Sequence, residues 1–473
     1  MVFSSSLFLF LFLPIVLLIY YLLKLEYRNI FLLVVSLLFY AWGEPKFVIV
    51  IIASIIINYV FGIIVHLCSE NKVSCLIRRT ILIVGIISNC GLLFYFKYYD
   101  FFLSSINSIT GLNLTLANVI LPIGISFFTF QGLSYVIDVY QGKIKVQKNL
   151  YKLALYMAFF PQLIAGPIVR YVDIHTQIDE RVSTIDGFAS GIRRFVIGLG
   201  KKVIIANTLG AVADSIFGLP AEQNSMAIAW VGAICYTFQI YFDFSGYSDM
   251  AIGLARMFGF NFKENFDYPY ISKTVTEFWR RWHISLSRWF RDYLYIPLGG
   301  NRRGNVYVNL LIVFIVTGLW HGAAWNFIIW GLWHGLFLIL ERVLKLKKVR
   351  IRVPKIIIWS YTSLVVIIGW VLFRSPDLTY ARDYIGIMFG LNDPYNVGFT
   401  VWYYLNPMIV TMLVIACICS IPIIKYIKGN VGSYEEHSGF SLFLQNAYVL
   451  IILIISIMFM ATSTYNPFIY FRF

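Results

Sequence analysis

Apolar runs long enough to cross a bilayer recur along the whole sequence, and no soluble stretch of ordinary domain size separates them. That pattern removes most folds from consideration. In hydrocarbon every backbone N–H and C=O must be satisfied internally, which leaves helices or a closed barrel. A crossing helix needs about 20 apolar residues and a barrel strand only about 10, so these runs fit helices. Composition points the same way, with 59% of the 473 residues hydrophobic and 13% charged. The expected class is an all-α polytopic membrane protein forming one integral domain over residues 1–473.

The net charge of +15 resembles a nucleic-acid signal only until its placement is examined. Lys and Arg concentrate in the short connections 24–28, 72–79, 143–152, 193–202, 256–303, 342–355 and 425–428. This is the positive-inside pattern, so these connections are expected to be cytoplasmic and no nucleic-acid partner is implied. Between them lie expected spans near 7–23, 29–42, 47–66, 80–97, 119–140, 203–217, 226–247, 305–320, 321–340, 356–373, 408–424 and 441–460. That is roughly a dozen crossings, with both termini outside. The first run lacks a basic flank and a small-residue cleavage site, and is expected to be a retained span. The six cysteines have no metal-ligand spacing, so free thiols and no metal are expected.

Two segments break the regular pattern. The stretch 150–170 carries Pro161, Gly166 and Pro167, which predicts a broken, re-entrant helix whose freed backbone groups are covered by protein. The same argument makes 122–132 a candidate irregular segment.

Chemistry enters with LWHGAAWNFIIWGLWHG, 319–335, where His321 and His334 interrupt an almost uncharged stretch. The arm 305–320 rises about 24 Å as a helix, less than the roughly 30 Å hydrocarbon thickness, so His321 is expected within the membrane. An ionisable group there is either functional or a packing contact bonded to a neighbouring helix. Gly318 and Gly322 beside it would admit a substrate or a close helix. Asn326 on the return arm is a candidate supporting residue.

Upstream, 277–300 is predicted as one amphipathic helix on the cytoplasmic side, with two arcs. Trp279, Trp282, His283 and Trp289 fall on one arc, while Arg280, Arg281, Arg288 and Arg291 fall on the other. Arginines on anionic lipid headgroups would explain the second arc, and so would a phosphate-bearing donor, which Trp279 would flank. Asp243 and Asp249 end an apolar span and need partners, either a histidine or the basic helix.

Together EFWRRWHISLSRWFRDYLYIPLGGNR, TGLWHGAAWNFIIWGLWHG, PIGISFFTFQGLSYVIDVY, FPQLIAGPIVR and DFSGYSDMAIG closely resemble the bacterial membrane-bound O-acyltransferases, above all those that acetylate exported polysaccharides. The resemblance covers nearly the whole sequence. It implies a ring of transmembrane and re-entrant helices around a central funnel in the bacterial cell membrane. It also implies an acyl-CoA donor, acetyl-CoA foremost, with no permanently bound cofactor. By resemblance His321 is the catalytic histidine and His283 the second, motif-borne one, while His334 matches no family role.

The activity so implied carries acetyl groups from a cytoplasmic donor to an exported polysaccharide, completed by a secreted or membrane-anchored serine-type acetyltransferase. The tail 465–473 is expected outside, as an interfacial aromatic anchor. Its FIYFRF also resembles the C-terminal motif of a small partner protein in D-alanyl transfer to teichoic acids, which makes Tyr470 a candidate acyl relay. D-alanyl or lipid acyl transfer keeps the same fold. A transporter using the buried histidines and aspartates as an ion pathway is the reading from another class.

Overall fold

A computed structural model describes the chain except for residues 165, 221–222, 347–352, 392–397, 424–438, 463–464, 468 and 470–473. Among the described residues there are helices, turns and irregular segments but no strands. Among the described residues, eight helices are long and apolar enough to cross a membrane: Leu25–Gly43, Pro45–Glu70, Cys75–Thr110, Ile185–Phe217, Met226–Met257, Trp325–Lys345, Lys355–Arg374 and Leu442–Thr462. Three shorter apolar helices accompany them, Phe8–Leu22, Val306–His321 and Pro407–Cys419. The protein is therefore an all-α, multi-pass membrane protein, and its six cysteines are unbridged.

The chain folds as two compact units, one of Met1–Phe195 with Met250–Lys263, the other of Val196–Asp249 with Glu264–Phe473. In the first unit, two buried asparagines fasten neighbouring helices. Asn58 and Asn89 exchange reciprocal side-chain bonds of 2.9 and 3.0 Å, each amide giving its hydrogen to the other's carbonyl. Gly132 makes room for this pair, since a Cβ there would stand 2.2 Å from the Asn58 amide nitrogen.

The segment 150–170 is broken as its prolines predict. Helix Leu150–Ala158 stops at Phe159, a single turn Phe160–Leu163 follows, and residues 166–170 have no regular structure. Nearly all of it is buried, so protein groups cover the interrupted backbone. The segment 122–132 is less irregular than expected. Only the residues up to Gly124 lie outside a helix, and Ile125–Tyr140 is a regular helix that buries almost every side chain. A helix hidden on all sides shows no polar face, which is why its sequence reads ambiguously.

Gly124 makes the start of that helix possible. Its φ is +77°, and a Cβ would lie 2.5 Å from the Leu163 carbonyl oxygen. Gly124→Ala is therefore expected to cost about 1–3 kcal/mol, seen as a lowered thermal midpoint of the detergent-solubilised protein.

The second unit has one large apolar core running from Ile205 to Ile469, rich in Trp, Phe and Tyr. Within helix Ile185–Phe217 the residues Lys201–Ala206 form a π turn, an inserted-residue distortion that re-aims side chains in an otherwise α-helical run. The histidine hairpin belongs to this unit.

Candidate active site

The two arms of the hairpin are Val306–His321 and Trp325–Leu346. Asn305 caps the first, accepting from the backbone N–H groups of Tyr307 and Val308. The first arm ends at His321 because Gly322 turns extended, with φ −164° and ψ 152°. Any residue adopts such a backbone, so conformation is not what requires glycine there. Packing requires it: a Cβ on Gly322 would meet the Phe327 ring at 2.1 Å.

Two further glycines bring the arms into backbone contact. A Cβ on Gly318 would sit 2.2 Å from the Phe327 carbonyl oxygen, and one on Gly331 2.2 Å from that of Phe314. The glycines around His321 thus serve the helix crossing, and the space they free is filled by the partner arm rather than held open for a substrate.

This crossing builds an aromatic enclosure for His321, which is only 5% exposed. Its ring meets three others edge-to-face: Trp320 at 4.9 Å between centroids, Trp330 at 5.1 Å and Phe373 at 5.1 Å. Trp330, one helical turn before His334 on the same arm, also meets His334 at 5.2 Å. On the other side Trp320 stands 6.1 Å from His283. His283, Trp320, His321, Trp330 and His334 therefore form one continuous row of rings.

His283 itself is fully buried. Its Nδ1 lies 3.1 Å from Asn265 Oδ1, and Phe244 packs edge-on at 4.6 Å. It sits between helices, and burial pushes its imidazole down to about 3, so the ring is neutral at working pH. His334 is equally buried, with Gly369 against it: a Cβ there would stand 2.6 Å from Nε2.

The stretch 277–300 is not one helix. Val275–Arg281 and Ile284–Phe290 are separated at Trp282 and His283, and a π turn, Arg291–Tyr295, follows. His283 takes left-handed backbone angles, φ +43° and ψ 55°. A 100° periodicity carried through that corner therefore assigns its residues to the wrong faces. Arg281 is engaged by Glu277 at 3.0 Å and Asp267 at 3.1 Å, and Arg291 pairs with Asp292 at 2.7 Å. Arg280 is exposed and Arg288 half-buried. Trp279 is buried against Phe314, Trp330 and His334, in the enclosure's wall rather than on the outer face. Glu341 of the return arm fixes that helix by accepting from the Val275 and Thr276 N–H groups at 2.6 and 3.0 Å.

Asp243 and Asp249 each face a lysine of helix Ile185–Phe217. Asp243 pairs with Lys202 at 2.8 Å and Asp249 with Lys201 at 2.7 Å. The Asp243–Lys202 pair is 2% exposed on both sides and also holds the tail. Asp243 accepts the Ile469 N–H at 2.9 Å, Lys202 donates to the Pro467 carbonyl, and Tyr465 donates to Asp214 at 2.6 Å. The described tail residues are thus tied into the second unit's core by Asp243, Lys202 and Asp214. Tyr470 lies outside the described residues. Asn326 donates to the Ser375 carbonyl at 2.7 Å, tying the return arm to the end of helix Lys355–Arg374. Among the described residues no cluster of three His, Cys, Asp or Glu side chains is arranged for a metal.

The sequence pointed to all three histidines of the row but not to Trp330, Phe373, Asn265 or Lys202. Of these only Trp330 carried a local signal, its spacing of one turn from His334.

Because Lys202 and Asp243 are buried together, Lys202→Met strands a carboxylate in the core. Its expected cost is about 3–5 kcal/mol, well above that of Lys201→Met at the more exposed pair, read as thermal midpoints of the two variants.

Residues 144–375, which include every histidine of this row, match the membrane-bound O-acyltransferase family. The probable alginate O-acetylase AlgI of Pseudomonas putida is 43% identical over 497 residues, covering 100% of both chains. That of Pseudomonas aeruginosa is 48% identical over 395 residues, 82% of this chain and 75% of its own. The peptidoglycan O-acetyltransferase of Helicobacter pylori is 38% identical over 429 residues, 83% of this chain and 80% of its own. With such identity sustained over most of each relative, this multi-pass membrane protein is an O-acyltransferase and belongs to the membrane-bound O-acyltransferase family.

Proposed function

We propose that the protein passes acetyl groups from cytoplasmic acetyl-CoA across the membrane for O-acetylation of an exported cell-surface polysaccharide. The relatives named as alginate and peptidoglycan O-acetyltransferases support the acetyl group and the glycan class. The observation that carries the chemistry is His321 at the end of helix Val306–His321, enclosed by Trp320, Trp330 and Phe373. In this reading the whole chain acts as one acyltransferase, with its helices in a ring around a funnel that admits donor and acceptor from opposite sides.

His321 takes the proton of an acceptor hydroxyl as its oxygen attacks the thioester carbonyl. The carbon–sulfur bond then breaks, and coenzyme A leaves as a thiol with the proton that His321 returns. An aromatic enclosure suits this step because excluding water protects the thioester from hydrolysis. His283 acts beside it as a neutral hydrogen-bonding group. The donor's phosphates fall to Arg280 and Arg288, with Arg281, Arg291 and Trp279 shaping the approach.

Tyr470 is the acyl relay in this proposal. A phenol with a pKa near 10 leaves more readily than an aliphatic alcohol, so its ester is an activated donor for a secreted or membrane-anchored serine-type transferase. Ile469, the neighbour of Tyr470 in the chain, is anchored by the Asp243 carboxylate, which accepts the Ile469 N–H.

His321→Ala is expected to lower acetyl transfer from labelled acetyl-CoA by about 10²–10⁴-fold in correctly inserted protein, and wild-type transfer by that variant would refute the assignment. Intact-mass analysis of the C-terminal peptide under saturating donor should show one acetyl adduct, lost in Tyr470→Phe. An unmodified peptide during active turnover removes the relay.

A further inference from the structure

The corner at His283 has a feature that the acyltransferase reading does not use. Asn265 holds it twice and is itself fully buried. Its backbone carbonyl accepts the Ile284 N–H at 2.9 Å, just past the left-handed residue. Its side-chain oxygen accepts the Ser285 N–H at 3.1 Å and the Ser285 hydroxyl at 2.8 Å.

The Ser285 contact settles which way the Asn265 amide points. A backbone N–H can only donate, so the amide atom facing it is the oxygen. That same oxygen lies 3.1 Å from His283 Nδ1. A carbonyl oxygen can only accept, so Nδ1 carries the hydrogen. A neutral imidazole has one N–H, and Nε2 is then a bare lone pair. Among the described residues, no group hydrogen-bonds to this buried nitrogen. A buried acceptor left without a donor is costly, and a non-glycine residue held at φ +43° is strained. Both persist at the same residue, one ring away from His321.

We infer that Asn265 is a positioning residue for His283: it locks the imidazole as the Nδ1–H tautomer and so presents Nε2 as an acceptor for a hydroxyl or other hydrogen-bond donor on a bound reactant. This rests on the acyltransferase reading and adds to it the residue that sets the second histidine's proton. The ligand chemistry is narrow, because Nε2 in this tautomer can receive a hydrogen bond and cannot give one. An acceptor hydroxyl fits; a carbonyl or phosphate oxygen without a hydrogen does not.

The surroundings of His283 make the lock testable by pH. The rings against it, Phe244, Phe266 and Trp320, are uncharged. Phe244 lies on a helix between Asp243 and Asp249, each paired with a lysine. Asn265 and Phe266 lie beside Glu264 and Asp267, and Asp267 pairs with Arg281 of the preceding helix. Trp320 precedes His321. A carboxylate at position 265 would be a new charge against Nδ1. It would favour the imidazolium, raise the His283 pKa and remove the lone pair at a higher pH.

The experiment compares wild type with Asn265→Asp, Asn265→Leu and Ser285→Ala in the purified full chain, measuring acetyl transfer from acetyl-CoA between about pH 3 and pH 9. In Asn265→Asp the acid limb should move up by about one pH unit or more. In Asn265→Leu, kcat should fall about tenfold or more with the KM for acetyl-CoA unchanged, while Ser285→Ala, which keeps the Asn265–His283 bond, stays near wild type. If Asn265→Leu does not fold, the nearly isosteric Asn265→Asp decides alone. A pH profile superimposable on wild type in folded Asn265→Asp, or a Leu variant altered in donor KM only, overturns the inference. Absence of any acetyl transfer by wild type would instead defeat the proposed function.

Discussion

Two helices of the second unit touch through their backbones, and the placement of the histidines follows from that contact. At Gly318 and Gly331 neither arm of the hairpin tolerates a Cβ, because each faces the other's carbonyl oxygens. Only so close a crossing lets Trp330 of one arm reach both His321 at the end of the other and His334 in its own next turn. In lipid there is no hydrophobic force to hold two helices together, so dispersion at short range must do it, and small residues make that range available. The enclosure around His321 is a by-product of this packing. Phe327, which fills the space beside Gly322, also packs on Phe373, and Phe373 closes the third side.

Polar groups in the second unit's core divide into paired charges and buried neutral atoms. Charged groups are paired: Lys202 with Asp243, Lys201 with Asp249, Arg374 with Asp214. The Asp243–Lys202 pair also bonds to backbone: Asp243 accepts the Ile469 N–H and Lys202 donates to the Pro467 carbonyl. Several buried neutral atoms have no hydrogen-bond partner among the described residues, and His283 Nε2 is one of them, in a place where burial makes that costly. Polar atoms without partners in a native core are where chemistry is expected, and here one lies one ring from the histidine that the proposed mechanism uses.

How much of this could be read in the chain itself differs element by element. The hairpin was partly legible: the first arm, expected at 305–320, is Val306–His321, while the return arm, expected at 321–340, begins only at Trp325 and runs to Leu346. His283 was legible as a buried group but its setting was not, because the left-handed turn at that residue rotates everything after it out of phase. Asp243 and Asp249 announced a need for partners without naming them. Lys202 lies some forty residues upstream of Asp243, in a stretch that reads as an ordinary cytoplasmic basic flank. Only the fold shows it buried. Asn265 carries no signal at all, being 18 residues from His283 in a loop whose course nothing local dictates.

The sequence alone determined the class of the molecule, since apolar runs of this length force helices that satisfy their own backbones, and it determined which residue types could carry acid–base chemistry among them. Tertiary structure decided which of those residues meet. Contacts between helices depend on crossing points and on the phase of each turn, and a single glycine or one left-handed residue changes both. The row of rings from His283 to His334, the ion pairs that hold the tail, and the tautomer of His283 are therefore properties of packing. No local pattern of residues encodes them.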